Sequence, residues 1–270
     1  MTSESRNERV ALVTGAARGI GAATARALHQ RGYRLQLVDC CAGSQLAAFP
    51  GVGYPLATSA ELDAVAASCP GALSFVADVR HPEAVQAAIA QTVDQFGRLD
   101  VVVCAAAVIL GGIPLWEMPT RHLETIWDVD VRGTWNVAAA SIPVMLAGPD
   151  PSGCRFVAIA SAAGQVGLHR LSAYTVAKHA VIGLIRGLAA DLRNTGVAAI
   201  AVSPGSTRTE MLAATAALYG MTGIDDFAGS QLLGRLLSPE EVADAVALCC
   251  SPEGAVLNGS VVCADGGFVA

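Results

Sequence analysis

The chain has 270 residues, 53% of them hydrophobic and only 15% charged, with a net charge of −6. A large buried core follows, and a nucleic-acid surface is not expected, because no run of Lys or Arg appears. Charges or glycines interrupt every apolar segment before it reaches membrane-spanning length, and the start lacks a charged-then-apolar signal pattern. These features predict a cytoplasmic protein with no membrane partner. Polar residues 1–9 read as a flexible tail. From there short apolar runs alternate with helical stretches. "VALVT" (10–14) is a strand, followed by a helix over 19–31. "RLQLVD" (34–39) is a second strand and "ALSFVAD" (72–78) a third. A helix over 82–96 carries Val85, Ile89, Val93 and Phe96 on one stripe, with Pro82 suited to its first turn. "LDVVVCAA" (99–106) is a fourth strand, a helix covers 120–146, and "CRFVAIAS" (154–161) is a fifth strand. A long helix runs from Ser172, its candidate N-cap, towards Gly196. "VAAIAVSPG" (197–205), a helix near 239–250 and a strand near 260–264 complete the series.

Continuous apolar strands alternating with helices imply a parallel sheet covered on both faces. The expected fold is α/β: a single-domain Rossmann fold over 10–270, with a doubly wound seven-stranded parallel sheet and helices on both faces. One stretch breaks the rhythm. Residues 42–58, rich in Gly and Pro, are too long for an ordinary connection ahead of a helix at 59–68. They read as either an inserted flap near a cofactor or a floppy loop.

Eight cysteines are present without any C-x-x-C spacing, and no His cluster accompanies them, so no metal site is expected. Most lie in apolar runs, as small core residues do.

"VTGAARGIG" joins the first strand to the first helix and places Gly15, Gly19 and Gly21 there. Glycine permits positive φ and a close backbone approach to phosphate, while the helix N-terminus offers free N–H groups. The same glycines could simply turn a strand into a helix. Asp39 closes the second strand, where a carboxylate can accept ribose hydroxyls and would repel a 2′-phosphate. It could also be an ordinary strand-end residue. Arg18 either contacts phosphate or caps a surface. Ser161 closes the fifth strand, and Tyr174 and Lys178 lie four residues apart on one helix face. A snorkelling Lys beside a half-buried Tyr would look the same.

As an ordered set these motifs are far more specific than any one alone. T-G-x-x-x-G-x-G at 14–21, D-V at Asp78 and Val79, Ser161, Y-x-x-x-K at Tyr174 and Lys178, and P-G at Pro204 and Gly205 resemble the classical short-chain dehydrogenase/reductase family over essentially the whole chain. The resemblance implies an NAD-dependent oxidoreductase that moves hydride between an alcohol or ketone and the nicotinamide. It implies a catalytic set of Ser161, Tyr174, Lys178 and Asp130. An ammonium near a phenol favours the phenolate, which makes the phenol a usable base. Ser161 would orient the substrate oxygen, and Lys178 would also hold the nicotinamide ribose. The implied cofactor loop is Gly15, Ala17, Arg18, Gly19, Ile20 and Gly21. Asp39, Asp78 and Val79 would follow, then Cys104, Ala105 and Ala106 after the fourth strand. Pro204, Gly205, Thr207 and Thr209 close the implied NAD site, together with Tyr174 and Lys178.

Two departures stand out. The family's N-N-A-G is "CAAA" (104–107) here, and its catalytic Asn is Asp130 in "WDVDVRGTWN". In the family that Asn works through its backbone carbonyl, by way of a water leading to the Lys, and an Asp offers the same carbonyl. Stretches such as "AAAVILGGIPLWE" and "NGSVVCADGGF" resemble the mycofactocin-associated members in actinobacteria. That narrower resemblance implies tightly held NAD and mycofactocin as electron acceptor. The family also implies a homotetramer joined through the helices near 120–146 and 172–194, which are apolar over more than one stripe.

Residues 205–234 would form a substrate lid whose apolar face, including Met211, Leu212, Leu218 and Tyr219, points to a small apolar secondary alcohol or ketone. A catalytically silent NAD-binding regulator on the same fold is the alternative, and the intact Ser161, Tyr174 and Lys178 set weighs against it. The same residues weigh against a methyltransferase using a nucleoside cofactor.

Overall fold

The computed structural model describes residues 8–269, so most of the expected tail lies outside the described residues. Parallel pairing joins seven strands in the order β3-β2-β1-β4-β5-β6-β7. These are β1 (Val10–Thr14), β2 (Arg34–Asp39), β3 (Leu73–Val76), β4 (Val101–Cys104), β5 (Arg155–Ile159), β6 (Ala198–Pro204) and β7 (Val261–Ala264). Every residue of β1, β4 and β6 is buried, as the continuous apolar runs require of strands covered on both faces.

Strand alternation then splits the core in two. Leu12 and Val102 face a layer built by α3 (Pro82–Phe96), α4 (Thr120–Ile126), α5 (Gly133–Ala147) and α6 (Ser172–Asp191). Ala11, Val13, Val101 and Val103 face the other layer, built by α1 (Gly19–Gln30), α2 (Ser59–Ser68) and α8 (Pro239–Cys250). The strand order reverses between β1 and β4, so the crevice above their C-terminal ends is the place for a ligand.

Two local features differ from the expected elements. Ser172 is the first helical residue of α6 rather than its cap, and the N-cap Leu171 supplies no side-chain bond. The single helix expected over 120–146 is instead α4, a π turn (Trp127–Arg132) and α5. A π turn admits an extra residue and rotates the chain beyond it. Here it carries Asp130 into the core, 1% exposed.

Residues 42–58 pack onto the core. The Gly43 amide donates to Ala57 and the Leu56 amide donates back to Gly43, pinching the loop at its neck. Phe49, Val52 and Leu56 are buried in the core layer beside α3 and α4. The Thr125 hydroxyl of α4 donates to the Pro50 carbonyl at 2.9 Å. Closely spaced ends and an interior packed by its own side chains are the features of an Ω-loop.

Candidate active site

A cavity of about 340 Å³ opens above the C-terminal ends of the strands. One end is made by the turn from β1 into α1. Gly15 has φ +65°, and a Cβ on it would sit 2.6 Å from the Ala106 amide nitrogen. A Cβ on Gly21 would overlap the Gly15 carbonyl. Only glycine therefore lets the turn close this tightly. α1 begins without a side-chain cap, so its first amides remain for an anion. Asp39 lines the same end, its Oδ2 accepting from the Ala17 amide and its Oδ1 from the Cys41 amide, both at 3.2 Å. The glycine cradle, the uncapped helix start and the buried carboxylate fit a dinucleotide without a 2′-phosphate. Arg18 does not stand free for a phosphate. Its guanidinium donates to the Pro55 carbonyl at 2.8 Å.

Of the twenty sequence-derived site residues, seventeen line the cavity. Gly15, Arg18, Gly19, Ile20, Gly21, Asp39, Asp78, Val79, Ala105 and Ala106 line it, as do Ser161, Tyr174, Lys178, Pro204, Gly205, Thr207 and Thr209. Ala17, Cys104 and Asp130 lie outside its lining. Ala17 turns its methyl into the core and contributes only its amide, to Asp39. Cys104 ends β4 inside the core, where burial alone pushes its thiol far up and leaves it unreactive. Asp130 stands behind Lys178. Thr209 caps α7 (Glu210–Leu218), accepting from the Leu212 amide at 3.2 Å.

The other end holds the polar set. Ser161 lies two residues beyond β5, and its Oγ accepts from the Ala163 amide at 3.1 Å. Tyr174 comes from the first turn of α6, within hydrogen-bonding reach of Ser161. One turn on, Lys178 Nζ lies 5.4 Å from the Tyr174 ring centre and donates to the Ile159 carbonyl at 3.2 Å. It is also 3.0 Å from Asp130 Oδ2, as an ion pair rather than an aligned hydrogen bond. The expected pull of the ammonium on the phenol is present but does not win here. Burial pushes Tyr174 above the ordinary phenol range, Lys178 pulls it down, and Asp130 pushes it up. Burial likewise raises the Asp130 carboxyl, against the pull of Lys178 and the Val108 amide. Lys178 stays above the ordinary lysine range: burial acts against its charge, and Asp130 and Tyr174 together more than offset it.

Several lining residues were not foreseen as site residues. Ile109, Leu168, Leu171, Phe227 and Phe268 join the expected Met211, Leu212 and Tyr219 to make the substrate end apolar. The Tyr219 hydroxyl donates to the His169 carbonyl at 2.6 Å, joining two of the lining segments. Arg80 is the other omission. It pairs with Asp78 at 2.6 Å, lies over the Phe49 ring at 3.9 Å and bonds the Ala48 carbonyl. An Arg two residues after a strand-end Asp was the available signal.

The family model described as enoyl-(acyl carrier protein) reductase matches residues 15–269. An A-factor type gamma-butyrolactone 1'-reductase from Streptomyces virginiae is 34% identical, the alignment covering 97% of this chain and 95% of that protein. A cis-4-hydroxycyclohexanecarboxylate dehydrogenase from Sinomonas cyclohexanicum is 33% identical, covering 97% of each. The crystal structure of carveol dehydrogenase from Mycobacterium avium in complex with NAD superimposes with a TM-score of 0.88 at 25% identity, covering 97% of this chain and 98% of that one. Matched from the glycine turn through the Tyr174 and Lys178 pair to the last strand, the chain belongs to the classical short-chain dehydrogenase/reductase family.

Proposed function

We propose that the protein is an NAD-dependent alcohol dehydrogenase and ketone reductase acting on a small, apolar, ring-bearing secondary alcohol. One observation carries this reading: Ser161, Tyr174 and Lys178 meet in the same cavity as the glycine turn and Asp39. Bound NAD would supply the hydride acceptor. Ser161 orients the substrate oxygen. Tyr174 takes the hydroxyl proton during oxidation and returns it during reduction. Lys178 holds positive charge beside the phenol. Because the buried phenol holds its proton strongly, oxidation is expected to rise with pH through the alkaline range, and reduction to fall. The apolar substrate end favours a neutral molecule, and the two relatives above are named for substrates containing a ring.

Asp39 sets the cofactor choice. Like charges a few Å apart cost about 1 kcal/mol or more, so NAD should bind at least about fivefold tighter than NADP. Titration of the protein with each cofactor, followed by fluorescence, measures the ratio. Tighter NADP binding would mean that Asp39 does not face the adenosine ribose.

Residues 42–58 are proposed as a flap over the adenosine half, held by Arg18 at Pro55 and by Arg80 at Phe49 and Ala48. Such a latch slows cofactor release, since affinity differences lie mostly in the off-rate. Replacing residues 43–54 by a short Gly-Ser turn should speed NAD release in a stopped-flow chase. An unchanged rate would refute the flap. Reoxidation of held NAD by mycofactocin is proposed from the sequence resemblance.

A homotetramer is also proposed. Trp127 and Trp135 are 38% and 64% exposed on the α4–α5 arm, and Val176 is 46% exposed on α6. Apolar groups this large and this exposed support a covered face. Light scattering should give a mass of about four chains, and a stable monomer would overturn the assignment.

A further inference from the structure

The ammonium of Lys178 meets a carboxylate that the catalytic chemistry itself does not call for. Asp130 comes off the π turn between α4 and α5 with a fully buried side chain. Its Oδ1 accepts from the Val108 amide at 2.9 Å, and its Oδ2 lies 3.0 Å from Lys178 Nζ. The backbone carbonyl expected to serve a water relay accepts from the Thr134 hydroxyl at 2.7 Å. The side chain, not the carbonyl, faces the lysine. A buried ion pair is a weak route to stability compared with apolar packing, so its place directly behind the phenol calls for another reason.

We propose that Asp130 is a positioning residue: it clamps Lys178 by direct ion pairing and ties that clamp, through the Val108 amide, to the loop after β4. It acts on Tyr174 through Lys178, and so rests on Tyr174 being the acid–base group. By holding the Lys178 proton against the cost of burial, the carboxylate keeps the ammonium beside the phenol, and its own repulsion of the phenolate is the smaller effect.

Few other groups bear on the pair. From α6 the titratable neighbour is Tyr174. β5 offers the Ile159 carbonyl, and Ser161, two residues beyond it, offers its hydroxyl. From residues 42–58 comes Tyr54, whose hydroxyl accepts from the Ile109 amide at 3.0 Å, one residue from Val108. Arg18, on the glycine turn, acts on Tyr54. Consecutive amides after β4 are thus held by Asp130 on one side and by the proposed flap on the other.

The test needs neither substrate nor cofactor. Ultraviolet difference titration of the purified protein against Tyr174→Phe isolates the Tyr174 tyrosinate signal. In Asp130→Asn the Asn oxygen can still accept from Val108, but the negative charge is gone. Without that charge the buried Lys178 gives up its proton before the phenol does, so the Tyr174 midpoint is expected to move up by about one unit or more, a tenfold gain in proton affinity. An unchanged or lower midpoint would overturn the proposal. Thermal unfolding of Asp130→Asn, Lys178→Met and the double variant gives a second readout, independent of any titration. A double variant more stable than Lys178→Met supports the clamp, and one destabilised by the sum of the two single changes refutes it. Failure of the acid–base reading would show differently, as turnover persisting in Tyr174→Phe.

Discussion

Replacing Tyr174 by Phe should lower turnover by at least about a hundredfold while NAD affinity changes little. General acid–base catalysis by one positioned group is worth about 10²–10⁴-fold. The hydroxyl has few other duties in the structure. It lies 3.9 Å from Met211 Sδ and within reach of Ser161, and neither contact holds the fold together. The ring stays in place as Phe, because its neighbours in the core layer are apolar. Steady-state kinetics and cofactor titration on the same preparation separate the two effects. Retained turnover with lost cofactor binding would assign the phenol to binding.

Lys178→Met should be harsher, because it damages chemistry and fold together. The side chains of Lys178 and Asp130 are 3% and 0% exposed. Removing one partner leaves the other buried and uncompensated, which typically costs about 3–5 kcal/mol. The loss should depend on pH in a fixed sense. Without the ammonium, burial raises the Asp130 carboxyl further, so the folded state binds a proton that the unfolded chain releases above about pH 4. Stability is then greatest at acid pH and falls as pH rises. Adding Asp130→Asn should remove that slope. Thermal unfolding across the pH range of the folded protein follows both trends. A flat profile for Lys178→Met alone would show that Asp130 does not carry the charge.

Much of this site is legible in the chain because the constraints are local. A turn that needs φ of +65° at Gly15 and no Cβ at Gly21 leaves its mark as glycine. Tyr174 and Lys178 share a face through helical spacing, and strand ends bring Asp39 and Ser161 to the same rim through the sheet's parallel order. What stayed hidden depends on contacts far apart in sequence or on small changes in backbone winding. The π turn at Trp127–Arg132 keeps the apolar pattern of an ordinary helix, so nothing in the periodicity says that the Asp130 carboxylate will face Lys178. The packing of residues 42–58 rests on Arg80, Thr125 and Ile109, which belong to three later segments. Asp78 was foreseen, whereas its bidentate partner Arg80 was not, since a surface Arg two residues along reads as ordinary polarity.

The most direct measurement is a single turnover. The protein is mixed with an equal amount of NAD and an excess of a neutral cyclic secondary alcohol such as cyclohexanol or carveol, and nicotinamide absorbance is followed in time. The reverse direction uses NADH and the matching ketones. The expected result is reduced nicotinamide forming at a rate that increases with pH, and at least about a hundredfold more slowly in Tyr174→Phe. NAD that binds in full yet exchanges no hydride with any of these alcohols or ketones, in either direction, would contradict the assignment of the Ser161, Tyr174 and Lys178 cavity as a working dehydrogenase site.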